Sequence, residues 1–401
     1  MTTFDPFDAE QAQNADALLA ELRARSAVAS IGPGMYYVTR HAECRDVLRD
    51  SARFSNAQGM KAPGVGIPVE ERLLGELDPP QHGPVRRVIV TALTPTIIRE
   101  AEGFIRAEAG ALLDAVAAGG SADLVRDFTV PLPNRVTVHL LGLPAEDAGT
   151  IARWAKELME SEFPRTNRTP RGTGFAAAFP EFAGYIDGKI QARQADMAAG
   201  VEVPDDVLTR LVRLEVEGAH LVPTQLRALV RNLITGGLTT TSQLLGNLLY
   251  ALLTDSGLDG ALRADPALLD SAIEESLRLS PPVLFMARGC PAGADVAGVR
   301  VAPGERVIVG SASANRDERI FEAPDSFRID RPNVDAHLTF GYGQHFCPGA
   351  TVARRIARIA TGCFLERFPP GAVRLDEGYR FENVPTFFER GPRTLPVTVT
   401  C

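Results

Sequence analysis

The sequence predicts a mainly α-helical protein with few, short and peripheral β-strands. Apolar residues recur at i, i+3 and i+4 over long stretches, the pattern of amphipathic helices, whereas strand patterns are confined to short segments. Of the 401 residues, 45% are hydrophobic, which suffices for a large core. No Ser/Gly linker, charge block or internal repeat divides the chain. We therefore expect a single domain over residues 1–401.

The helical pattern is clearest in four segments. They are residues 15–26, 98–119, 224–257 and 266–280. The third segment is the longest and contains two adjacent glycines, Gly236 and Gly237. Because a glycine in a helix interior costs about 1 kcal/mol relative to alanine, this pair requires an explanation.

Strand signals are found in three segments, residues 34–40, 296–312 and 394–399. In the second segment, Pro303-Gly304 predicts the turn of a β-hairpin. This limited strand content predicts only minor sheets.

Composition argues against several classes of function. A net charge of −8 does not suit binding to nucleic acid, whose phosphates require a basic surface. The longest apolar run, near residues 244–253, is far shorter than the ~20 residues that span a bilayer. Five scattered cysteines show no spacing typical of a zinc site or a disulfide framework. We expect a cytoplasmic protein that binds neither nucleic acid nor membrane.

Cys347 lies at the start of a predicted helix and follows a glycine-rich loop. Pro348 suits the first helical position, and the free N–H groups and dipole of a helix N-terminus stabilise a thiolate. The loop glycines permit backbone angles that other residues avoid, so a flat, bulky group can lie close to the chain. A loop that caps a helix around a structural cysteine is the alternative, and the flanking residues decide between the two.

The loop reads FGYGQHFCPG over residues 340–349. It resembles the haem-binding loop of the cytochrome P-450 superfamily, in which a cysteine thiolate ligates the iron and favours O–O cleavage. The resemblance implies that Cys347 is the axial ligand of haem b and that Phe340 packs beside the sulfur and limits water access. It also implies that His345 hydrogen-bonds a haem propionate and that Gly341 and Gly349 let the haem approach the loop.

Glu275 and Arg278, near the end of a predicted helix, match a second segment of the family. Alone, this spacing describes an ordinary surface pair. Downstream, Phe327 and Arg331 match the family's Phe-x-x-x-Arg segment. The resemblance implies a buried triad of Glu275, Arg278 and Arg331, which we assign to folding and not to catalysis because buried charges must be mutually paired.

The segment DPPQHGPVRR, residues 78–87, resembles the family's propionate-binding segment. His82 and Arg86 are four residues apart, which on a helix places both on one face, as two donors to one carboxylate require. Arg288 lies where the family often supplies a further propionate arginine. A solvent-facing helix after a Pro-Pro turn is the alternative.

The middle of the longest helix carries a further family pattern, small-Gly-x-acid-Thr. In the family, the small residues admit O2 and substrate, and the Thr holds a proton-delivery network. Here Gly236 and Gly237 match the small residues and Thr240 matches the Thr, but Thr239 stands where Asp or Glu is usual. The alternative is a close helix crossing at the glycines, with threonine hydroxyls bonded to i−4 carbonyls.

The resemblance runs from about residue 35 to the C-terminus. It implies the cytochrome P-450 fold, a triangular helical prism with small peripheral β-sheets, with haem between the long central helix and the helix after Cys347. The implied reaction inserts one oxygen atom of O2 into a hydrophobic small molecule. Electrons would come from a separate ferredoxin and its reductase, and Arg354, Arg355 and Arg358 would dock the acidic ferredoxin.

Two other functions remain open from the sequence. A haem-thiolate enzyme that uses peroxide, or that performs coupling or rearrangement, would account for the missing acid at position 239. A haem-binding sensor would keep the loop but would not need Gly236, Gly237 and Thr240.

The segments expected to wall the substrate pocket are largely apolar, which favours a hydrophobic ligand. They are residues 59–74, 162–182, 283–285 and 385–388.

Overall fold

A computed structural model describes residues 4–8, 10–11, 15–59, 68–162, 174–216, 219–386 and 388–400. The α-helices of these residues are α1 (Ala15–Arg25), α2 (His41–Arg49), α3 (His82–Ala92), α4 (Pro95–Glu100), α5 (Glu102–Gly119), α6 (Pro131–Leu140), α7 (Ala148–Glu162), α8 (Phe175–Ala178), α9 (Pro180–Ala198), α10 (Val207–Arg213), α11 (Pro223–Thr254), α12 (Ser256–Ala264), α13 (Leu269–Leu279), α14 (Ser311–Ala314) and α15 (Ala350–Arg367). A π-helical turn covers Val125–Thr129.

The strands are short and form small sheets, as predicted. They are β1 (Val28–Gly32), β2 (Met35–Val38), β3 (Ser121–Asp123), β4 (Glu215–Val216), β5 (Ala219–His220), β6 (Met286–Cys290), β7 (Ala294–Val296), β8 (Val299–Val301), β9 (Glu305–Val309), β10 (Val373–Leu375) and β11 (Pro396–Val399). The largest sheet has the order β1-β2-β9-β6, and a second has the order β10-β11-β3. The pairs β4-β5 and β7-β8 stand alone among the described strands.

The four predicted helical segments are confirmed, with boundaries that follow local capping. The segment 224–257 ends at Thr254 because the carboxylate of Asp255 accepts the N–H groups of Gly257 (2.9 Å) and Leu258 (3.1 Å) and so begins α12. The segment 98–119 is divided into α4 and α5 at Ala101.

The predicted turn at Pro303-Gly304 is present, since the N–H of Glu305 donates to the carbonyl of Ala302 at 3.1 Å, but the strands on its two sides do not pair with each other, so the predicted hairpin is wrong. A hairpin forms at an earlier turn of the chain, where β7 and β8 pair antiparallel. Its turn residues are Ala297 and Gly298, whose φ angles are 50° and 81°. Two positive φ angles suit the tight turn of a twisted hairpin. The strand after Pro303-Gly304, β9, pairs parallel with β2 and antiparallel with β6.

The described chain forms two compact units. The larger comprises Met1–Met60, Ile105–Leu132 and Thr240–Cys401, and the smaller comprises Lys61–Phe104 and Pro133–Thr239. In the larger unit, one apolar cluster packs α2 against the four-stranded sheet and includes Cys44, Val47, Leu48, Cys290 and Val307. In the smaller unit, the first half of α11 packs against α9 and α3 through residues such as Leu226, Val230, Ile186 and Ile89.

None of the described helices combines the length and the apolar composition needed to cross a bilayer.

Candidate functional site

The loop before α15 is held by its own backbone. The N–H of Cys347 donates to the carbonyl of Phe340 at 2.9 Å, and the N–H of Gly341 donates to the carbonyl of Leu338 at 2.9 Å. Gly341 and Gly343 adopt φ angles of +76° and +73°, which side chains other than glycine rarely tolerate. The glycine spacing therefore fixes the path of the chain around the cysteine.

Close packing adds a second reason for glycine at position 343, because a Cβ there would lie 3.3 Å from the Cα of Arg49 on α2. The side-chain amide of Gln344 also donates to the hydroxyl of Ser51. The loop is thus fastened to the end of α2.

Cys347 lies three residues before the first residue of the 18-residue helix α15. The helix begins at Ala350, two residues later than the Pro348 start predicted from the sequence, and the N–H of Ala350 points to the carbonyl of Cys347 at 3.4 Å. The sulfur nevertheless lies beside the helix N-terminus, because a Cβ on the N-cap residue Gly349 would lie 3.8 Å from Cys347 Sγ.

The other described cysteines occupy a different environment. Cys44, Cys290 and Cys363 are buried, whereas Cys347 is only half-buried. Burial raises the pKa of the other three thiols, which disfavours the thiolate that a metal requires. Of the four described cysteines, Cys347 is the one suited to ligate iron.

Phe340 is supported by a charged cluster that the sequence did not reveal. The guanidinium of Arg354 lies 4.6 Å from the centre of the Phe340 ring and donates to both oxygens of Glu274, at 2.6 and 2.7 Å. His337 contacts the same carboxylate at 3.1 Å. Burial alone would raise the pKa of Glu274, but the hydrogen bonds from Arg354 and His337 lower it to about 2. Glu274 therefore stays ionised and holds Arg354 against Phe340.

Two of the three arginines predicted to dock a ferredoxin are engaged within the protein. Arg354 pairs with Glu274, and Arg358 pairs with Asp270 at 2.5 Å. Both acids lie on α13, which reduces the positive charge that these arginines present to a partner. The sequence contains a pattern that indicates this pairing. Asp270 and Glu274 are four residues apart on one helix, and Arg354 and Arg358 are four residues apart on another, so each pair lies on one helix face.

The predicted triad is confirmed as a buried set of contacts. Arg278 donates to both oxygens of Glu275 at 2.7 Å, and Arg331 Nε lies 3.1 and 3.0 Å from the same two oxygens. Glu275 and Arg278 are 0% exposed and Arg331 is 5% exposed. Because buried charges require complete pairing, this arrangement explains why these three residue types occur together.

The remaining donors of the triad arginines bind backbone carbonyls. Arg278 Nη1 donates to Asn315 and Pro324 at 2.9 and 2.7 Å, and Arg331 Nη1 donates to Glu322 at 2.6 Å. The triad thus fastens the irregular segment 315–331 to α13, which agrees with the structural role predicted for it.

Arg288 lies on β6 and is 5% exposed. Its Nη1 donates to the carbonyl of Ala287 at 2.9 Å. The backbone beside it is crowded, because a Cβ on Gly59 would overlap the Ala287 carbonyl. Its contact with a propionate remains a prediction.

In the smaller unit, α3 begins at His82 and carries Arg86 one turn later. His82 is 1% exposed, and its burial, together with the charge of Arg86, lowers the pKa of the imidazole. The ring is therefore neutral at pH 7 and retains one N–H donor. The predicted helical i, i+4 arrangement is confirmed.

Arg86 provides a test of whether these residues fit a haem. Its Nη1 is buried and has no hydrogen-bond partner within the described part of the chain. A buried guanidinium nitrogen without an acceptor is costly, and a propionate carboxylate is an acceptor of matching charge and shape. The donor set therefore fits the anionic edge of a haem.

The two glycines of α11 have different surroundings. A Cβ on Gly237 would lie 2.9 Å from Thr137 Oγ1 on α6, so the close helix crossing considered above accounts for this glycine. At Gly236 the nearest side-chain atom would be Asn232 Nδ2 at 3.9 Å, and the residue is exposed. Among the described residues, nothing packed nearby requires glycine at position 236, and its role in admitting a small molecule stays a prediction.

Thr239 and Thr240 are half-buried on α11, which remains helical through both residues. One turn earlier, the hydroxyl of Thr235 donates to the carbonyl of Arg231 at 3.0 Å, as expected for threonine within a helix. The roles of Thr239 and Thr240 stay predictions.

The predicted pocket walls are described only in part. Residues 60–67, 163–173 and 387 lie outside the described residues. Two other wall segments are adjacent, since the N–H of Leu284 donates to the carbonyl of Phe388 at 2.8 Å. Leu284, Phe285 and Phe388 are all buried and apolar.

Comparison with known proteins agrees with the motifs. The family model described as Cytochrome P450 matches residues 35–377. The chain is 33% identical to an erythromycin C-12 hydroxylase of Saccharopolyspora erythraea, over 99% of this chain and 98% of the relative. It is 30% identical to a steroid C26-monooxygenase of Mycobacterium tuberculosis, over 94% and 98% of the two chains.

A solved cytochrome P450 from Chondromyces apiculatus has the same fold, with a TM-score of 0.86, 30% identity and coverage of 99% of this chain and 98% of that chain. The predicted fold class is thereby confirmed. The chain therefore belongs to the cytochrome P450 family, and it is a monooxygenase whose cofactor is haem with an axial cysteine thiolate.

Proposed function

We propose that residues 1–401 work as one domain, in the cytoplasm, that oxidises a large hydrophobic molecule with Cys347 as the axial haem ligand. The observation that carries this proposal is the loop 340–349, which holds a half-buried Cys347 close to the N-terminus of α15. When bound, the haem supplies the redox chemistry of O2 activation. The protein residues orient the cofactor, exclude water and move protons.

On the proximal side, the ring of Phe340 limits water access to the sulfur, held in place by Arg354 and Glu274. Gly341 and Gly349 leave room for the haem beside the loop. His345, Arg288, His82 and Arg86 bind the two propionates. Support for this assignment comes from the buried, unpaired Nη1 of Arg86 and the neutral state of His82.

Arg86→Ala should weaken haem retention without unfolding the protein. The variant loses a charge-assisted bond to a propionate, which we expect to raise the haem dissociation rate about tenfold or more. Transfer of haem to an excess of apomyoglobin, followed spectroscopically, measures this rate. Arg87→Ala is the matched control, because Arg87 is the exposed neighbour on the same helix. Equal rates for the two variants would remove Arg86 from the propionate site.

On the distal side, Gly236 admits O2 and substrate, Gly237 lets α11 pack against Thr137 on α6, and the hydroxyls of Thr239 and Thr240 pass protons. Insertion of one oxygen atom reduces the other to water and consumes two electrons and two protons. A threonine hydroxyl can relay a proton but does not titrate near pH 7, so it is a poor source. We infer that proton delivery limits turnover in this enzyme.

Thr239→Asp should therefore increase the product formed per electron under ferredoxin-driven turnover, by roughly two- to tenfold for one added proton donor. Thr239→Asn has nearly the same shape without the acid and should show no gain. The ratio of product to NADPH consumed measures the effect. Well-coupled wild-type turnover that Asp worsens would show that protons arrive by another route.

The same position supports a second candidate, a peroxide-dependent reaction. Hydrogen peroxide brings both protons and both electrons with the oxygen, so an enzyme that uses it does not require an acid at position 239. Better turnover of the wild type with peroxide than with ferredoxin would favour this alternative.

We propose a ferredoxin-type electron donor. Because Arg354 and Arg358 pair with acids on α13, their contribution to docking is smaller than the sequence suggested.

For the substrate, the relatives named for erythromycin and steroid oxidation support a rigid, hydrophobic molecule of macrolide or steroid size.

The proposed function is tested by following an oxygen isotope from labelled O2 into the product. Purified protein is screened with macrolides and steroids for a shift of the haem Soret band, and hits are incubated with ferredoxin, reductase, NADPH and ¹⁸O-labelled O2. Mass spectrometry should find one labelled oxygen atom in the product. A product labelled only from water or from added peroxide would contradict the proposal.

A further inference from the structure

The carboxylate of Glu71 joins three parts of the smaller unit. Glu71 ends a short 3₁₀ turn, Val69–Glu71, and its side chain is 13% exposed. Oε2 accepts the N–H of Phe175, the first residue of α8, at 2.8 Å. Oε1 lies 3.5 Å from Arg227 Nη2 on α11, and Arg227 also donates to Asp187 on α9 at 2.5 Å.

Arg231, one turn further along α11, completes this arrangement. Its Nη2 donates to the backbone carbonyl of Glu71 at 2.7 Å, and its guanidinium lies 4.5 Å from the centre of the Phe175 ring, in a cation–π contact. Phe175 is therefore held at its backbone by Glu71 and at its ring by Arg231. We name Glu71, Phe175, Arg227 and Arg231 the Glu71 clasp.

Gly174 shows how closely the clasp is fitted. A Cβ at this position would overlap Glu71 Oε2. Its φ angle is −68°, which any residue adopts, so the glycine is needed for space and not for backbone conformation. Glycine at position 174 therefore leaves room for the Glu71 carboxylate, although the two residues are about a hundred positions apart in the sequence.

We propose that the Glu71 clasp is a positioning device that determines which large molecules the enzyme accepts. The inference rests on the proposed function, because residues 68–74 and 174–182 belong to segments expected to wall the substrate pocket. The clasp fixes these two stretches to each other and to α11, the helix that carries Gly236. Charge-assisted hydrogen bonds in this mostly buried site have one preferred geometry. A bulky molecule must fit that geometry or break these bonds, whereas a small molecule need not.

Glu71→Gln keeps the shape of the side chain and removes its charge. We expect the association rate of a bulky iron ligand, clotrimazole, to rise about tenfold, the order of effect of one charge-assisted hydrogen bond. The association rate of imidazole should not change. Both rates are read by stopped flow from the Soret band. Glu70→Gln is the matched control, because Glu70 is the exposed neighbour in the same turn.

The single tryptophan of the chain gives a readout that does not depend on ligand binding. Trp154 stacks on Phe182 at 5.3 Å, and Phe182 packs edge-on against Phe175 at 5.5 Å. Loss of the clasp should shift the emission maximum of Trp154 in Glu71→Gln and leave it unchanged in Glu70→Gln.

Gly174→Ala provides a second variant if Glu71→Gln folds poorly. It displaces the carboxylate while keeping every charge, and it should reproduce the selective gain for clotrimazole. Equal changes for clotrimazole and imidazole, or no change in rates and emission, would overturn the inference. If neither azole binds the iron of the wild type, the proposed function fails, and the Trp154 comparison still decides whether Glu71 positions Phe175.

Discussion

Glu275→Ala should lower the free energy of unfolding by about 3–5 kcal/mol, because it leaves two buried guanidinium groups without their counter-ion. Arg278 and Arg331 both bind this carboxylate, and all three residues are at most 5% exposed. We expect little soluble, haem-loaded protein. Urea unfolding and the ratio of Soret to protein absorbance measure the loss.

Asp270→Ala is the matched control for this prediction. Asp270 lies on the same helix and pairs with Arg358 at 2.5 Å, but its side chain is 70% exposed. An exposed pair contributes at most about 1 kcal/mol, so this variant should fold and load haem normally. If Glu275→Ala is no more damaging than Asp270→Ala, the triad does not support the fold as argued.

Cys347→His should abolish the long-wavelength Soret band that thiolate-ligated haem shows with CO in the ferrous state. An imidazole can still bind iron, but it lacks the negative charge that the sulfur donates. Monooxygenase activity should fall below detection. The CO difference spectra of the purified wild type and the purified variant are compared to test this prediction.

The other cysteines are the controls for Cys347. Cys44, Cys290 and Cys363 are buried with raised thiol pKa values, and their replacement by alanine should leave the CO band in place. Cys401, outside the described residues, should also be replaceable. A thiolate band that persists in Cys347→His would assign the ligand elsewhere.

The sequence was sufficient for features whose residues are close together or keep a fixed spacing. The loop 340–349 is contiguous, Glu275 and Arg278 share one helical turn, and His82 and Arg86 share another. Each pattern specifies its own geometry, so the predicted helices and the triad agree with the structure.

Long-range contacts could not be predicted in this way. Glu71 bonds to Phe175 across 104 positions and to Arg231 across 160, with no local pattern to connect them. Gly237 is needed because Thr137 on α6 lies against it. Similarly, Pro303-Gly304 shows where the chain turns, but strand pairing depends on which strands lie beside β9.

X-ray absorption at the iron edge of haem-loaded protein tests the central claim, that Cys347 ligates the iron, most directly. We expect one sulfur neighbour of the iron in the wild type and none in Cys347→His. Only nitrogen and oxygen neighbours in the wild type, or a sulfur that persists in the variant, would contradict the assignment of Cys347.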